Sequence, residues 1–265
     1  MCNRFNKSRA AFYKQLKQEM QQQLMDPVIS ELVMEQRKLM PHLGGKKLYH
    51  LIKAPIQQHS IKMGRDKLFL WLKKEDLLVR RKKRYTKTTH STHRFRVHKN
   101  LIKDVPITDP DQCWVSDITY LRLQHGFCYL ALITDAYSRK IIGFDVSQSL
   151  ELTGCMRALK MACADRKRKS TIHHSDRGFQ YCSYPYIDEL RGNGIHVSMG
   201  EVGNCYDNAM AERVNGILKS EFNLDATFRD LGHAQKAARE AISIYNEKRP
   251  HMAIGLKMPT ELYAA

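Results

Sequence analysis

Three acidic residues stand at positions where an acidic side chain adds little to a folded core. Asp117 lies within the apolar run CWVSDITYLRL, Asp176 follows STIHH in the stretch HSDRGFQY, and Glu212 lies in GNCYDNAMAERVNGILKSE. Along the chain, 58 residues separate the first from the second and 35 separate the second from the third. Carboxylate oxygens are the ligands that hard divalent cations prefer. If folding brings these residues together, they could hold two metal ions.

Asp117 and Asp176 also have ordinary structural explanations. An unpaired charge inside a strand is costly, so Asp117 either serves chemistry or faces water from an edge strand. Asp176 precedes Arg177 and Gly178, and aspartate and glycine are common turn residues at strand ends. In a mixed sheet, the strand before Asp176 can pair in parallel with the strand of Asp117. We therefore predict that the two aspartates approach one another.

Glu212 is expected just after the first turn of a helix that Asp207 or Asn208 caps. Asn215 and Lys219 follow Glu212 at i+3 and i+7, which places all three on one helix face. A solvated helix surface would show the same pattern. The spacing to the two aspartates is what favours a functional face.

The elements that must position these residues follow a regular order from Cys113 onward. Three runs rich in β-branched and aromatic residues, separated by the short turns QHG and DAYSR, predict an antiparallel meander. Helical and strand patterns then continue the order as βββ-α-β-α-β-α-α, and Pro250 ends the last helix. This order predicts an α/β fold in which helices pack on a mixed sheet. Asp135 and Asp145 of the meander are predicted to have structural or surface roles.

Positive charge is concentrated towards the N-terminus. Residues 1–105 contain 25 Lys and Arg against 8 Asp and Glu, whereas residues 106–265 contain 19 of each. The net charge of +17 therefore belongs to the first two-fifths of the chain. A polarised distribution indicates a segment that binds a polyanion, attached to a neutral module. We predict nucleic acid rather than a membrane surface as the partner.

The N-terminal region is predicted to be helical. Residues 1–40 show apolar positions at helical spacing on both sides of Asp26-Pro27, which predicts two helices broken there. Residues 41–84 predict two short helices joined by KMGRD, with Asp66 as the N-cap of the second. They resemble a helix-turn-helix, in which Lys67 would contact DNA. A plain helical hairpin with a solvated basic face fits the same residues equally well.

The tract RRKKR begins a basic region without a core-facing period, and residues 85–107 are predicted to be an exposed linker. The tract is either a solvated run of charge or an arm that follows DNA phosphates, with an affinity that falls steeply with salt. The second interpretation assigns DNA contacts to Arg80, Arg81, Lys82, Lys83 and Arg84. Residues 108–265 then form the core module.

Composition excludes other classes of protein. The sequence contains no run of 18 apolar residues, so no transmembrane segment is expected, and its first residues lack the features of a secretory signal. The seven cysteines show no Cys-x-x-Cys spacing. They fit buried thiols in a reduced, cytoplasmic setting better than a disulfide framework.

Four segments together resemble a known family: WVSDITY, HSDRGFQY, GNCYDNAMAERVNGILKSE and IYNEKRPHMAIGLKMPTELY. They are similar to the retroviral-integrase-type catalytic core of bacterial insertion-sequence transposases, specifically the OrfB type of the DDE class. The likeness covers about residues 108–262, and LGGKKLYHLIK through LLVRRKKR resembles the helix-turn-helix segment that precedes that core. The resemblance implies an RNase H-like fold in which Asp117, Asp176 and Glu212 are the catalytic, metal-binding triad for two Mg²⁺ or Mn²⁺ ions.

The resemblance also implies an activity and partners. The expected activity is metal-dependent 3′-end cleavage and strand transfer of an insertion element. Lys219 is expected to contact the DNA end, and Asn215 and Arg177 are further candidates for DNA contact. A homo-oligomer on DNA is expected, with a DNA-binding partner or fusion from an upstream reading frame, in the bacterial cytoplasm at the nucleoid. A nuclease that cuts without joining and a non-catalytic DNA-binding protein are the alternatives.

Overall fold

The computed structural model describes residues 8–79, 97–103, 105–168, 170–201 and 208–265. The chain divides into two compact units, Met1–Arg80 and Arg81–Ala265. The predicted DNA contacts Arg80, Arg81, Lys82, Lys83 and Arg84 lie outside the described residues, as does the predicted cap Asp207.

The first unit consists of helices in its described part: α1 Arg9–Leu39, α2 Gly45–Gln58 and α3 Arg65–Lys74. Ser8 caps α1, because its Oγ accepts a hydrogen bond from the Ala11 amide. The second half of α1 packs on α2 and α3 through side chains that are fully buried, including Ile29, Val33, Leu48 and Leu72. Lys67 is exposed on α3.

The predicted break at Pro27 is wrong, since α1 continues through this residue. A proline inside a helix removes one backbone hydrogen bond and crowds the preceding turn. Tertiary contacts at the same turn offset this cost. Trp71 Nε1 donates to Asp26 Oδ1 at 2.9 Å, and Lys74 Nζ lies 3.6 Å from Asp26 Oδ2.

The predicted N-cap at Asp66 is also wrong, by two positions. Gly64 is the N-cap of α3, and Asp66 lies in the first helical turn, where Arg65 Nε donates to its Oδ1 at 2.9 Å. A carboxylate in the first turn still stabilises the helix, because the unpaired amides there carry partial positive charge.

The described part of the second unit contains a six-stranded mixed sheet with strand order β3-β2-β1-β4-β5, and β6 pairs with the end of β1. The strands are β1 Cys113–Leu123, β2 Phe127–Asp135, β3 Ile141–Ser147, β4 Thr171–Ser175, β5 Ile195–Met199 and β6 Thr227–Phe228. The first three strands form the predicted antiparallel meander, and β1, β4 and β5 are parallel. Asp117 therefore lies in a central strand, and the alternative that it faces water from an edge strand is wrong.

The helices of this unit are α4 Leu152–Ala164, α5 Phe179–Cys182, α6 Tyr184–Gly192, α7 Ala209–Glu221, α8 Leu231–Lys248 and α9 Pro259–Ala264, with a 3₁₀ turn at Met252–Ile254. One face of the sheet packs against α4 and α6 through a cluster that includes Trp114, Ile133, Leu159 and Tyr186. On the other face, Cys113 and Val115 of β1 pack against Ala211 of α7. These two helical layers confirm the predicted α/β architecture.

At Gly143 of β3, α4 approaches the sheet closely. A Cβ at this position would overlap the carbonyl oxygen of Ala158 and lie 3.0 Å from the Ala162 Cβ. We expect Gly143→Ala to lower the free energy of unfolding by about 1–3 kcal/mol or more, because the clash is with backbone. Denaturant unfolding measures the change. Gly192→Ala, where a Cβ meets nothing within 4 Å, is the control and should not destabilise.

Among the described residues, no helix is long and apolar enough to cross a membrane. The cysteines that the structure describes, Cys113, Cys128, Cys155, Cys163 and Cys182, are free thiols, and all except Cys163 are buried. These thiols act as small apolar side chains, as the sequence predicts.

Candidate active site

Asp117 and Asp176 lie side by side at the point where two parallel strands separate. The pairing of β1 with β4 ends at Ser116 opposite Ser175, and the next residue on each strand is an aspartate. Both aspartates are half-buried. The sequence predicts this parallel pairing and the approach of the two residues; the pairing is confirmed.

The two carboxylates interact electrostatically. Burial raises the pKa of Asp117 to about 7, and repulsion from Asp176 adds to the shift. Hydrogen bonds from Asn215 and from the Ile118 amide oppose it, and Glu212 makes a smaller repulsive contribution. Two like charges at one site are unfavourable until a proton or a cation compensates them.

Asn215 holds Asp117 from the opposite layer. Its Nδ2 donates to Asp117 Oδ2 at 2.8 Å, while the Ile118 amide donates to Asp117 Oδ1 at 2.9 Å. Asn215 is only 5% exposed, so its part of the α7 face is not a solvated surface. Its Oδ1 is buried, and none of the described residues donates a hydrogen bond to it. Within that part of the chain, the site therefore retains one buried oxygen without a protein donor.

Glu212 lies in the first turn of α7 and is exposed. It is near enough to influence the pKa of Asp117. Within the described ranges, however, no three His, Cys, Asp or Glu side chains lie close enough together to hold a metal ion. The predicted triad is therefore assembled only in part: its two aspartates adjoin, and its glutamate lies on the helix that faces them.

Buried polar groups support the strands behind the aspartates. The Nε2 atom of His173 lies 2.7 Å from Ser116 Oγ and 3.0 Å from Tyr186 Oη. Burial, with a contribution from His174, lowers the pKa of His173 to about 3, so this ring is neutral at neutral pH. These contacts join β1, β4 and α6. Ser116 directly precedes Asp117, and His173 lies three residues before Asp176, so the contacts support both strands close to the aspartates.

An ion pair fixes the far end of α7. Arg249 donates from Nε to Glu221 Oε2 at 2.9 Å and from Nη2 to Glu221 Oε1 at 3.0 Å. The guanidinium is 2% exposed and the carboxylate 12%. Glu221 is the last residue of α7, and Arg249 directly follows α8. The helix that presents Glu212 and Asn215 is thereby tied to the end of α8.

The chain is similar to known proteins over nearly its whole length. Two models described as an integrase core domain match residues 107–205 and 193–259. An insertion element IS600 31 kDa protein of Shigella sonnei is 34% identical over 96% of this chain and 94% of its own length. The chain belongs to the insertion-sequence transposases with an integrase core domain.

Other transposases match somewhat more than half of the chain. The transposase for insertion sequence element IS629 of Shigella sonnei is 38% identical over 57% of this chain, and a putative IS986/IS6110 transposase of Mycobacterium tuberculosis is 36% identical over 59%. The aligned segments cover 51% and 59% of those two proteins.

Solved structures of retroviral integrases share the fold. A simian T-cell lymphotropic virus intasome matches 84% of this chain and 75% of its own chain, with 18% identity and a TM-score of 0.51. The HTLV-2 integrase catalytic core domain in complex with magnesium matches 58% of this chain and 97% of its own, with 18% identity and a TM-score of 0.47. The RNase H-like fold predicted for this transposase core is confirmed.

The predicted DNA-binding residues that the structure describes lie in different surroundings. Lys219 lies on α7 with its Nζ 4.2 Å from the centre of the Tyr120 ring. Arg177 donates from Nε to the Gly200 carbonyl at 2.7 Å, so it helps to hold the segment after β5. Asn215 faces Asp117 rather than solvent. Lys67 belongs to the first unit.

Sequence reasoning missed three contributors to the transposase site. The buried amide of Asn215 was predicted to contact DNA, although its i+3 spacing from Glu212 was noticed. Tyr120 gave no signal beyond its β propensity. Arg249 belongs to the segment YNEKRPH, but only the fold shows that it pairs with Glu221.

The residues present suit a divalent cation of the hard type. The donors at the site are carboxylate oxygens together with the unsatisfied amide oxygen of Asn215. Hard ions such as Mg²⁺ prefer oxygen ligands and retain several waters, so they need few protein groups. Asp117 and Asp176 repel one another, and a cation between them would remove this repulsion.

Proposed function

We propose that this chain is a DNA transposase that uses Asp117, Asp176 and Glu212, with two Mg²⁺ or Mn²⁺ ions, to cleave the 3′ ends of an insertion element and join them to target DNA. The observation that carries the proposal is the placement of Asp117 beside Asp176 where β1 and β4 separate. The membership of the family supports it. Its named relatives are transposases of insertion sequences.

Each residue has a part in this reaction. Asp117 and Asp176 present oxygens from two adjoining strands, and Glu212 approaches them from α7 when DNA binds. Asn215 fixes the orientation of the Asp117 carboxylate through its 2.8 Å hydrogen bond. Asp117, Asp176 and Glu212 would hold the divalent ions, which would supply Lewis-acid stabilisation of the charge that develops on the phosphodiester oxygens.

The two steps use one site. Water first attacks the phosphodiester at the element end, which releases a 3′-hydroxyl. That hydroxyl then attacks a phosphodiester of the target, and the target strand leaves with its own 3′-hydroxyl. Because each step exchanges one phosphodiester oxygen for another, the same three carboxylates serve both.

The partners follow from the reaction. The substrate is DNA, at element ends and target, and we propose a homo-oligomer because the two element ends must be brought together before they are joined to the target. Lys219 and the basic tract from Arg80 to Arg84 are proposed to contact phosphates. A DNA-binding partner or fusion from an upstream reading frame stays a proposal of the same kind.

Replacing Glu212 by Gln tests the function. We expect strand transfer on oligonucleotides that carry the element ends to fall by roughly 10²- to 10³-fold or more, since the amide keeps the shape but loses the charge. Product gels with Mg²⁺ or Mn²⁺ measure both cleaved and joined strands. Glu240→Gln on α8 is the matched control, because Glu240 is exposed and forms an ion pair with Lys236, also exposed, on the same helix.

The assay separates the alternatives. Undiminished joining by Glu212→Gln would remove this residue from the mechanism. Cleaved strands without joined products identify a nuclease. A non-catalytic binding protein is identified by two results together. It binds DNA in the presence of a chelator, and it yields neither cleaved nor joined strands when Mg²⁺ or Mn²⁺ is present.

A further inference from the structure

Helix α3 of the first unit has one buried side and one exposed side. Leu68, Trp71 and Leu72 are its buried residues. The exposed residues, which we call the α3 face, are Arg65, Asp66, Lys67, Leu70, Lys73 and Lys74. Leu70 is 69% exposed and lies among charged neighbours. Single exposed leucines are common on protein surfaces, so the neighbours decide what this one indicates.

Two lysines flank Leu70 on the surface of the helix. Lys67 and Lys73 each lie three residues from Leu70 along the chain. Three residues turn an α-helix by about 300°, so the lysines are displaced by about 60° to either side of Leu70, and each is roughly 4.5 Å nearer to one end of the helix. A helix that turns Leu70 towards the floor of a groove therefore points one lysine at each wall.

The first turn of α3 carries cations where a helix disfavours them. Arg65 and Lys67 lie in this turn, although the unpaired amides there carry partial positive charge. Asp66 accepts a hydrogen bond from Arg65 Nε at 2.9 Å. This ion pair is exposed and adds little stability. It does orient the guanidinium, whose Nη1 and Nη2 form a fork that suits two acceptors side by side.

Duplex DNA has a complementary surface in its major groove. The groove is about 12 Å wide and admits an α-helix, and its floor presents thymine methyl groups and the paired acceptors O6 and N7 of guanine. A protein partner fits the α3 face less well, because lysine is depleted in protein interfaces. The first two-fifths of the chain also hold the whole net charge of +17, which favours a polyanion.

We propose that α3 lies in the major groove and reads base edges there, with Leu70 against a thymine methyl group and Arg65, oriented by Asp66, on guanine. Lys67 and Lys73 contact the phosphates on either side. This inference rests on the proposed function, in which the substrate is DNA, and adds which side chains select a sequence. Arg65 and Leu70 are about 7.5 Å apart along the helix axis, so the guanine and the thymine lie within about three base pairs of each other.

Selection from duplexes that contain a randomised segment tests this assignment. The whole chain is incubated with the pool without divalent cations, and the bound duplexes are sequenced. We expect the wild type to select a site with a guanine and a thymine at this spacing. Leu70→Ala should lose the preference at the thymine alone and Arg65→Ala the preference at the guanine alone. Each loss should be roughly fivefold to a hundredfold in relative affinity, as for one mismatched base pair.

Deoxyuridine isolates the methyl contact. Replacing the selected thymine by deoxyuridine removes only the methyl group, so the affinity of the wild type should fall roughly fourfold, and that of Leu70→Ala should not change. Leu24→Ala is the matched control and should behave as the wild type, because Leu24 of α1 is also an exposed leucine of the first unit. Lys73→Ala should weaken binding to all sequences alike and lower the slope of log affinity against log salt by about 0.9.

An unchanged selected site in Leu70→Ala or in Arg65→Ala would overturn the proposal, and so would a wild type without sequence preference. A loss of DNA binding in Leu70→Ala that accompanies dissociation of an oligomer would also overturn it, since the α3 face would then bind a second copy of the chain. Catalysis does not affect these results, because no divalent cation is present. A chain that selects a sequence through Leu70 but yields no joined strands would contradict the proposed function and leave the role of the α3 face standing.

Discussion

Replacing Asp117 by Asn is expected to abolish strand transfer and, at the same time, to stabilise the fold above neutral pH. Activity and stability change in opposite directions because both depend on the negative charge of the Asp117 carboxylate. The proposed reaction needs this charge, whereas the folded state is destabilised by it. The carboxylate that the proposed reaction needs is held in a half-buried position beside Asp176, and its pKa is raised to about 7 by burial and by this neighbour. An active site can retain a residue that lowers the stability of the fold where the reaction requires that residue.

The pH dependence follows from the raised pKa. Below about pH 4, Asp117 is protonated in both the folded and the unfolded chain. Between about 4 and 7 the unfolded chain loses this proton while the folded chain keeps it, so the free energy of unfolding falls as the pH rises. Above 7 both forms are ionised and the loss is complete. A shift of about three pKa units sets an upper limit of about 4 kcal/mol.

Asparagine removes the charge and keeps the shape. The Asn215 amide can rotate so that its Oδ1 accepts from Nδ2 of the new side chain, while the Ile118 amide keeps its acceptor and the Nδ2 of Asn215 loses the one it had on Asp117. We therefore expect a gain of about 1–3 kcal/mol at pH 8 and little change at pH 4 to 5. Comparing the variant with the wild type at each pH cancels the opposite contribution of His173, whose lowered pKa disfavours the folded state in acid.

Denaturant unfolding in the presence of a chelator measures this difference. Asp145→Asn is the control on the same sheet, because it breaks the hydrogen-bonded pair with Arg157 and should not stabilise the chain at any pH. Adding Mg²⁺ at pH 8 should stabilise the wild type, since a ligand of the folded state raises its stability, and should have little effect on Asp117→Asn. A variant less stable than the wild type at pH 8 would contradict the assigned electrostatics.

The sequence predicted the sheet well because the pattern of each strand is local. The runs that became β1, β2 and β3 alternate or are continuously apolar, and short turns separate them, so their pairing follows from neighbouring segments. The pairing of β4 with β1 does not follow from neighbouring segments, because the two strands are far apart in the sequence. It could be anticipated from the position of Asp176 at a strand end, because parallel strands bring their carboxyl ends to one edge.

Features that depend on distant contacts were not predictable in this way. Pro27 reads as a helix break, yet Trp71, 44 positions later, supplies the contact that supports the helix at Asp26. Two-residue β6 is too short to give a pattern of its own. Asn215 looked like one polar residue on an open helix face, and only the packing of α7 on β1 shows that its amide is buried against Asp117.

Breaking the ion pair between Arg249 and Glu221 is expected to give the largest loss of stability. Glu221→Gln leaves the guanidinium of Arg249 buried without a compensating charge, and such a change costs about 3–5 kcal/mol. Among the residues that the structure describes, the Nη1 atom of Arg249 already lacks a hydrogen-bond partner, so these contacts do not make up the loss. Because domains are stable by only about 5–15 kcal/mol, this variant should unfold at markedly lower denaturant concentration.

The exposed pair of Arg229 and Asp230 is the matched control, with side chains 75% and 51% exposed. Arg229→Met leaves the Asp230 cap of α8 intact and should cost at most about 1 kcal/mol, since exposed ion pairs contribute little. The double variant Glu221→Leu with Arg249→Met should recover most of the loss, because two apolar side chains replace both buried charges. If Glu221→Gln unfolds like the control, the pair does not hold α7 against α8, and the position of Glu212 must be fixed by the packing of α7 on β1 instead.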